Sequence, residues 1–132
     1  MEDYLIREIE KVRKILEALL AKMGVSTGAR SIGASVCEAA KTELNEELTL
    51  DTDALLESEN FVDVLIKQHG FNNGNLEQFA ELLFGFTTAE QDEASKRKLA
   101  LNIRKIYEYL DENEKSASFN RFHILEELKK YL

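Results

Sequence analysis

The segment DYLIREIEKVRKILEALLAKM, residues 3–23, carries the most regular hydrophobic pattern of the chain. Apolar residues recur in it at spacings of four, three, four, three and four, which is the seam of an amphipathic helix. The opposite face is mostly Glu, Lys and Arg. The pattern predicts a long first helix that ends at Gly24, because glycine commonly follows the last helical turn. The seam consists of Leu5, Ile9, Val12, Leu16, Leu19 and Met23.

The rest of the chain repeats this helical periodicity in shorter segments, separated by glycine, asparagine and other polar residues. No segment of useful length alternates with a period of two, so no sheet is predicted. Proline, which would break helices, is absent. We therefore expect an all-α fold of about six or seven helices packed as antiparallel hairpins. The further helices are predicted at about 35–47, two between 51 and 70, then at 75–86, 93–112 and 118–131.

The length and charge of the chain limit its class. A chain of 132 residues fits one domain, so we treat residues 1–132 as a single helical domain. The net charge is −8, and residues 25–92 hold three basic against thirteen acidic side chains. This acidic region repels phosphate backbones, so no nucleic-acid partner is expected. A single cysteine and no long apolar run predict a cytoplasmic protein without a membrane partner.

The stretch GARSIGAS, residues 28–35, resembles a phosphate-binding loop in its spacing. Gly28, Gly33 and Ser35 match the pattern, but Ala34 stands where the lysine belongs. A helix rather than a strand precedes the stretch. We interpret it as a connector between two helices, and nucleotide or small-ligand binding there stays the alternative.

No other motif points to catalysis, a metal or a cofactor. His69 and His123 belong to different segments, and neither is part of a metal-binding set. Cys37 has no base near it in the sequence, so we interpret it as a small apolar helix residue. Asp51 and Asp53 lack the other ligands of a calcium loop. We therefore expect a protein that is not an enzyme and needs no cofactor.

Two apolar surfaces are candidates for binding. The first is the aromatic segment, in which Phe71, Phe84 and Phe86 form a tentative partner-binding surface, with burial in the core as the alternative. The second is the seam of the first helix. It packs either inside the bundle or against a second copy of the chain. The tentative self-association residues are Leu5, Ile9, Val12 and Leu16.

The two ends of the chain resemble a known group of proteins. DYLIREIEKVRKILEALLAK (residues 3–22) and YEYLDENEKSASFNRFHILEELKKYL (residues 107–132) are similar to the ends of an uncharacterised bacterial family. Its members are small all-helical proteins with tetratricopeptide-like hairpins. Between the ends, GARSIGASVCEAA departs from the family pattern. The resemblance implies stacked hairpins in a bundle or short superhelix, and it brings no catalytic residues.

These observations together favour a non-catalytic protein-interaction or scaffold module. Its partner would be an unidentified protein or peptide, bound on a groove or concave surface of the helices. One alternative is a small-ligand or nucleotide-binding protein that uses residues 28–35. The other is a structural homodimer formed through the first helix.

Overall fold

The computed structural model describes residues 2–23, 34–113 and 119–132, with the side chains of all of these except residues 2–5, 34 and 119. This part of the chain contains seven α-helices and a 3₁₀ turn, and no strand occurs in it. The predicted all-α class is confirmed. The elements are α1 (Glu2–Met23), α2 (Ala34–Leu48), α3 (Thr52–Glu57), α4 (Phe61–His69), α5 (Asn73–Ala89), α6 (Glu93–Asn113), α7 (Phe119–Leu128) and the 3₁₀ turn (Lys129–Tyr131).

Helix α5 lies at the centre of the fold because it is apolar on most of its faces. Such a helix must be covered on most sides, and α1, α2 and α6 all pack against it. The first helix therefore contacts the fifth, which does not happen in a linear array where each hairpin touches only the next. The described helices form a bundle around α5. Its buried residues are Asn75, Leu76, Phe79, Ala80, Leu82, Leu83, Gly85, Phe86 and Thr87.

The seam of α1 packs inside this bundle. Val12 and Leu16 are buried against the rest of the same chain, while Ile9 is half-buried. Gln78 of α5 fixes the contact by donating a hydrogen bond from Nε2 to the Arg13 carbonyl oxygen, 3.4 Å away. The prediction of a self-association surface is therefore wrong for Val12 and Leu16, because α5 already covers them. The Leu5 side chain lies outside the described side chains.

The turn between α4 and α5 explains why Phe71 is in the core. Gly70 ends α4 in the left-handed region, with φ of 68°, and the Phe71 N–H donates to the Leu65 carbonyl oxygen at 3.1 Å. This turn directs the Phe71 ring edge-on to Phe79, with the ring centroids 5.8 Å apart. Phe71 is only 4% exposed. Its prediction as a partner-binding residue is wrong, because it fills the core beneath the turn.

Side-chain caps set the ends of the central helices. Asp51 caps α3, since its Oδ1 accepts from the Ala54 N–H at 3.2 Å. Asn72 and Asn75 exchange backbone-to-side-chain bonds in a capping box, so α5 begins at once after Asn72. The residue pattern predicts that this helix begins only at residue 75, after a longer turn. Two asparagines suffice to satisfy the first amides, which is why the turn is shorter.

Helix α7 turns a different face to the core from the one its apolar residues predict. The apolar spacing predicts that Phe122 and Leu128 face the core, and Leu128 is buried as expected, yet Phe122 is 65% exposed. Arg121 and Ile124 are buried in its place. The buried face is thus rotated by about one residue. A charged residue takes the inward position because partners for its charge lie there.

Those partners form a small ionic cluster between α5, α6 and α7. The Arg121 guanidinium bonds to a Glu77 carboxylate oxygen at 3.0 Å and to Asp111 at 2.6 Å. It also lies over the Tyr107 ring, 5.6 Å from the centroid. Burial lowers the pKa of Arg121, but the two carboxylates more than offset this and raise it overall. The cluster ties the last helix to the centre of the bundle.

Replacing Leu16 by alanine tests the internal packing of α1. The L16A variant should lose about 2–5 kcal/mol of unfolding free energy, because the buried site leaves a cavity. The matched control is Ile6→Ala on the same helix, where the side chain is 59% exposed and the loss should stay below about 0.5 kcal/mol. Urea denaturation followed by circular dichroism measures both. An L16A protein of unchanged stability but smaller sedimenting mass would instead place Leu16 between two copies.

Replacing Arg121 by alanine tests the ionic cluster. We expect R121A to lose about 2–3 kcal/mol of stability, because it leaves the half-buried Glu77 carboxylate without its cation. The control is Arg104→Ala on the exposed side of α6, where a solvent-facing pair with Glu108 is removed at a cost of about 0.5 kcal/mol or less. Thermal unfolding of both variants measures the two losses of stability. Equal losses would show that Arg121 contributes no more than a surface charge.

Candidate functional site

A cleft of about 550 Å³ opens at the C-terminal end of α5. It forms because α5 ends at Ala89, while α2, α3 and α6 continue around it. Ligand-binding clefts in proteins commonly enclose about 300–1,000 Å³, so this cleft is large enough for part of a ligand. The lining residues are Cys37, Glu38 and Lys41 from α2; Asp53, Leu56 and Glu57 from α3; Phe86, Ala89 and Glu90 at the end of α5; and Gln91, Ser95, Lys98 and Leu99 at the start of α6.

The floor of the cleft is apolar. The buried Phe86 forms its centre, with Leu99 and the half-buried Leu56 beside it. Phe86 is one of the residues predicted to bind a partner, and it lies here below the surface, while Phe84 is half-buried and packs against the core. The structure therefore does not form the exposed aromatic groove predicted from these residues. Most of each ring is used for packing around α5.

Three ion pairs lie on the walls of the cleft. Lys41 Nζ lies 3.3 Å from the Asp53 carboxylate and 3.6 Å from that of Glu38. Lys98 of α6 pairs with Glu57. The pairs made by Asp53 and Glu57 link α3 to α2 on one side and to α6 on the other. Both cationic groups of the lining are thus already neutralised by carboxylates.

Lys41 also contacts the floor. Its ammonium group lies over the Phe86 ring, 5.6 Å from the centroid, which is within the range of a cation–π interaction. Partial burial lowers the pKa of Lys41, but Asp53 and Glu38 more than compensate and raise it overall. Lys41 therefore stays charged at neutral pH. It is not the deprotonated amine that nucleophilic catalysis requires.

The short helix α3 is held in place by more than its ion pairs. Thr52 and Leu55 are buried, and the Asn102 amide of α6 donates to the Leu56 carbonyl oxygen at 3.3 Å. Asp51 caps the first turn. These contacts fix the wall that carries Asp53 and Glu57, so the rim of the cleft is largely pre-formed.

Carboxylates of the chain accept hydrogen bonds from three N–H groups at and just before the start of α6. Free amides at a helix N-terminus normally attract anions. Here Asp92 accepts bonds from both the backbone N–H and the hydroxyl of Ser95, each at 2.9 Å. Glu90 accepts from the N–H groups of Gln91 and Asp92, each at 3.1 Å. Carboxylates of the chain itself already occupy these donors.

Cys37 lies at the edge of the floor and is buried. Burial is the largest cause that raises the pKa of its thiol, Glu38 and Glu90 raise it further, and Lys41 opposes them. The group is therefore a protonated thiol at neutral pH rather than a reactive thiolate. This agrees with its interpretation as a small buried helix residue.

The other candidates from the sequence lie away from the cleft. His123 is exposed on α7, and His69 is half-buried at the end of α4. Burial lowers the pKa of His69, although a bond to the Leu48 backbone opposes the shift. Within residues 2–23, 34–113 and 119–132, no group of three His, Cys, Asp or Glu could hold a metal ion. Residues 28–33 of the GARSIGAS stretch lie outside the described residues, and Ser35 is exposed in the first turn of α2.

Sequence reasoning did not find this cleft. Its residues come from four helices spread over residues 37–99, so no local spacing brings them together. Lys98 appears in the sequence only as part of a short basic cluster, and Lys41 as an isolated charge. The one available signal is Phe86, which the aromatic pattern selects. In the structure Phe86 is a buried residue of the core that also lines the cleft.

Comparison of the chain with protein-family models, curated proteins and solved structures finds no match. In the part of the chain that the structure describes, no helix is both long and apolar enough to cross a membrane.

Proposed function

We propose that this protein is a non-catalytic interaction module that binds a segment of another protein in the cleft between α2, α3, α5 and α6. The observation that carries the proposal is the combination of an apolar floor, centred on Phe86, with a charged rim. Protein-binding sites commonly have an apolar centre surrounded by polar groups. A cytoplasmic location belongs to the same proposal. So does a tetratricopeptide-like pairing of neighbouring helices into hairpins, which here close into a bundle through the contact of α1 with α5.

The exposure of the rim supports a protein segment as the ligand. The Asp53 and Glu57 side chains are 77% and 70% exposed although they are ion-paired. Their carboxylates therefore remain open to a partner that approaches along the surface. The walls are helices packed on the core, so binding requires little ordering of the protein itself.

The chemistry of the lining supports binding rather than catalysis. Lys41 and Lys98 are paired with carboxylates, and the Cys37 thiol is protonated. Neither histidine lines the cleft. Lys41, Lys98 and Cys37 therefore do not form the pair of general base and nucleophile that most acyl and group transfers require.

A cleft-blocking substitution tests this function. Ala89→Trp places a large ring over the floor, whereas Ala18→Trp makes the same change on the exposed face of α1. Both tagged variants and the wild type are used for affinity capture from a lysate of the cells that produce the protein. A partner should be retained by the wild type and A18W. Its recovery with A89W should fall at least about tenfold, which corresponds to about 1.4 kcal/mol of binding free energy.

Circular dichroism of A89W checks that the variant is folded before capture. The proposal is wrong if every protein captured by the wild type is captured equally by folded A89W. The partner surface would then lie elsewhere. A protein lost from both tryptophan variants would not identify the cleft either, and would also contradict the proposal.

A further inference from the structure

We infer that the partner segment is basic, and that an arginine or lysine side chain of this segment enters the cleft. The inference rests on the proposed function, since it names the chemistry of the partner for the same site. It is carried by the balance of charges on the rim, by the donors at the start of α6 and by the floor.

The rim carries more negative than positive charge. Four carboxylates line the cleft, those of Glu38, Asp53, Glu57 and Glu90, against the two ammonium groups of Lys41 and Lys98. The lining therefore keeps a net charge of −2. Most of these carboxylates reach solvent, where they attract a cationic segment and speed its encounter with the cleft.

An acidic segment would meet a less favourable site. Both ammonium groups are already paired, so a carboxylate or phosphate would have to displace Asp53 or Glu57. The N–H groups of Gln91, Asp92 and Ser95 are likewise occupied by the carboxylates of Glu90 and Asp92. A cation breaks no existing bond, because it can join the outward oxygens of these carboxylates.

The floor suits the long stem of a basic side chain. Arginine and lysine bury their aliphatic stems on apolar surfaces while the charged end stays near water. The half-buried Leu56 and Ala89 supply such a surface within the same lining as the carboxylates. Phe86 beside them is 4% exposed and already has the Lys41 ammonium over its ring.

A peptide titration tests the inference. The probe is a short capped peptide that alternates glycine and arginine, and its counterparts carry glutamate or glutamine instead of arginine. Binding is followed by amide chemical shifts in nitrogen-15-labelled protein. We expect the arginine peptide to saturate the site with its largest shifts at Lys41, Asp53 and Phe86. The glutamate and glutamine peptides should leave these residues unchanged at the same concentrations.

Matched charge variants separate the cleft from the acidic surface as a whole. D53N/E57Q removes two rim carboxylates, and E46Q/E47Q removes two exposed carboxylates outside the lining. The first variant should bind the arginine peptide about three- to tenfold more weakly, as exposed charge pairs allow. The second should change binding less than about twofold. Equal weakening in the two variants would overturn the inference, since attraction would then be non-specific.

The remaining outcomes distinguish the inference from the function it rests on. Binding of the glutamate or glutamine peptide at the cleft overturns the inference that the partner segment is basic. It remains consistent with an interaction module that binds in the cleft. Spermidine binding as tightly as the arginine peptide overturns a protein segment in favour of a small polyamine. If no peptide changes the amide chemical shifts of the cleft residues, the inference of a basic partner segment is overturned as well. The interaction module fails only if A89W also captures every partner of the wild type.

Discussion

The enclosure of α5 is the constraint on which the rest of the structure depends. Because this helix is apolar on most sides, α1, α2 and α6 have to surround it. Their buried faces are therefore committed to the interior, and Val12 and Leu16 of the α1 seam are among the residues buried in this way. Where α5 ends at Ala89, the surrounding helices leave a cleft over Phe86. The candidate site thus results from the way the other helices pack around α5.

Ion pairs set the positions of helices that apolar burial alone does not fix. Arg121 takes an inward position on α7 and pairs with Glu77 and Asp111, which sets the rotation of that helix. At the other end of the bundle, Lys41 and Lys98 hold α3 through its carboxylates. The same residue types have different uses in the two places. The first set is centred on the buried Arg121, whereas the Asp53 and Glu57 carboxylates of the second are exposed.

The helices could be predicted from the sequence because their periodicity is local, and α2 and α6 begin and end within one residue of their expected bounds. Which face each helix buries was harder to predict. Phe122 is exposed and Arg121 buried. This difference depends on Glu77 and Asp111, which lie in distant segments of the chain. The cleft depends on four helices at once, so only the assembled fold reveals it.

Hydrogen exchange of the backbone amides tests the enclosure of α5 most directly. The account predicts that amides of α5 between Leu76 and Phe86 exchange only when the whole protein unfolds, with the full unfolding free energy. Amides of the short helix α3 should exchange earlier, through local opening. If the α5 amides exchange as readily as those of α3, α5 is not the enclosed centre of the fold, and the origin assigned to the cleft is wrong.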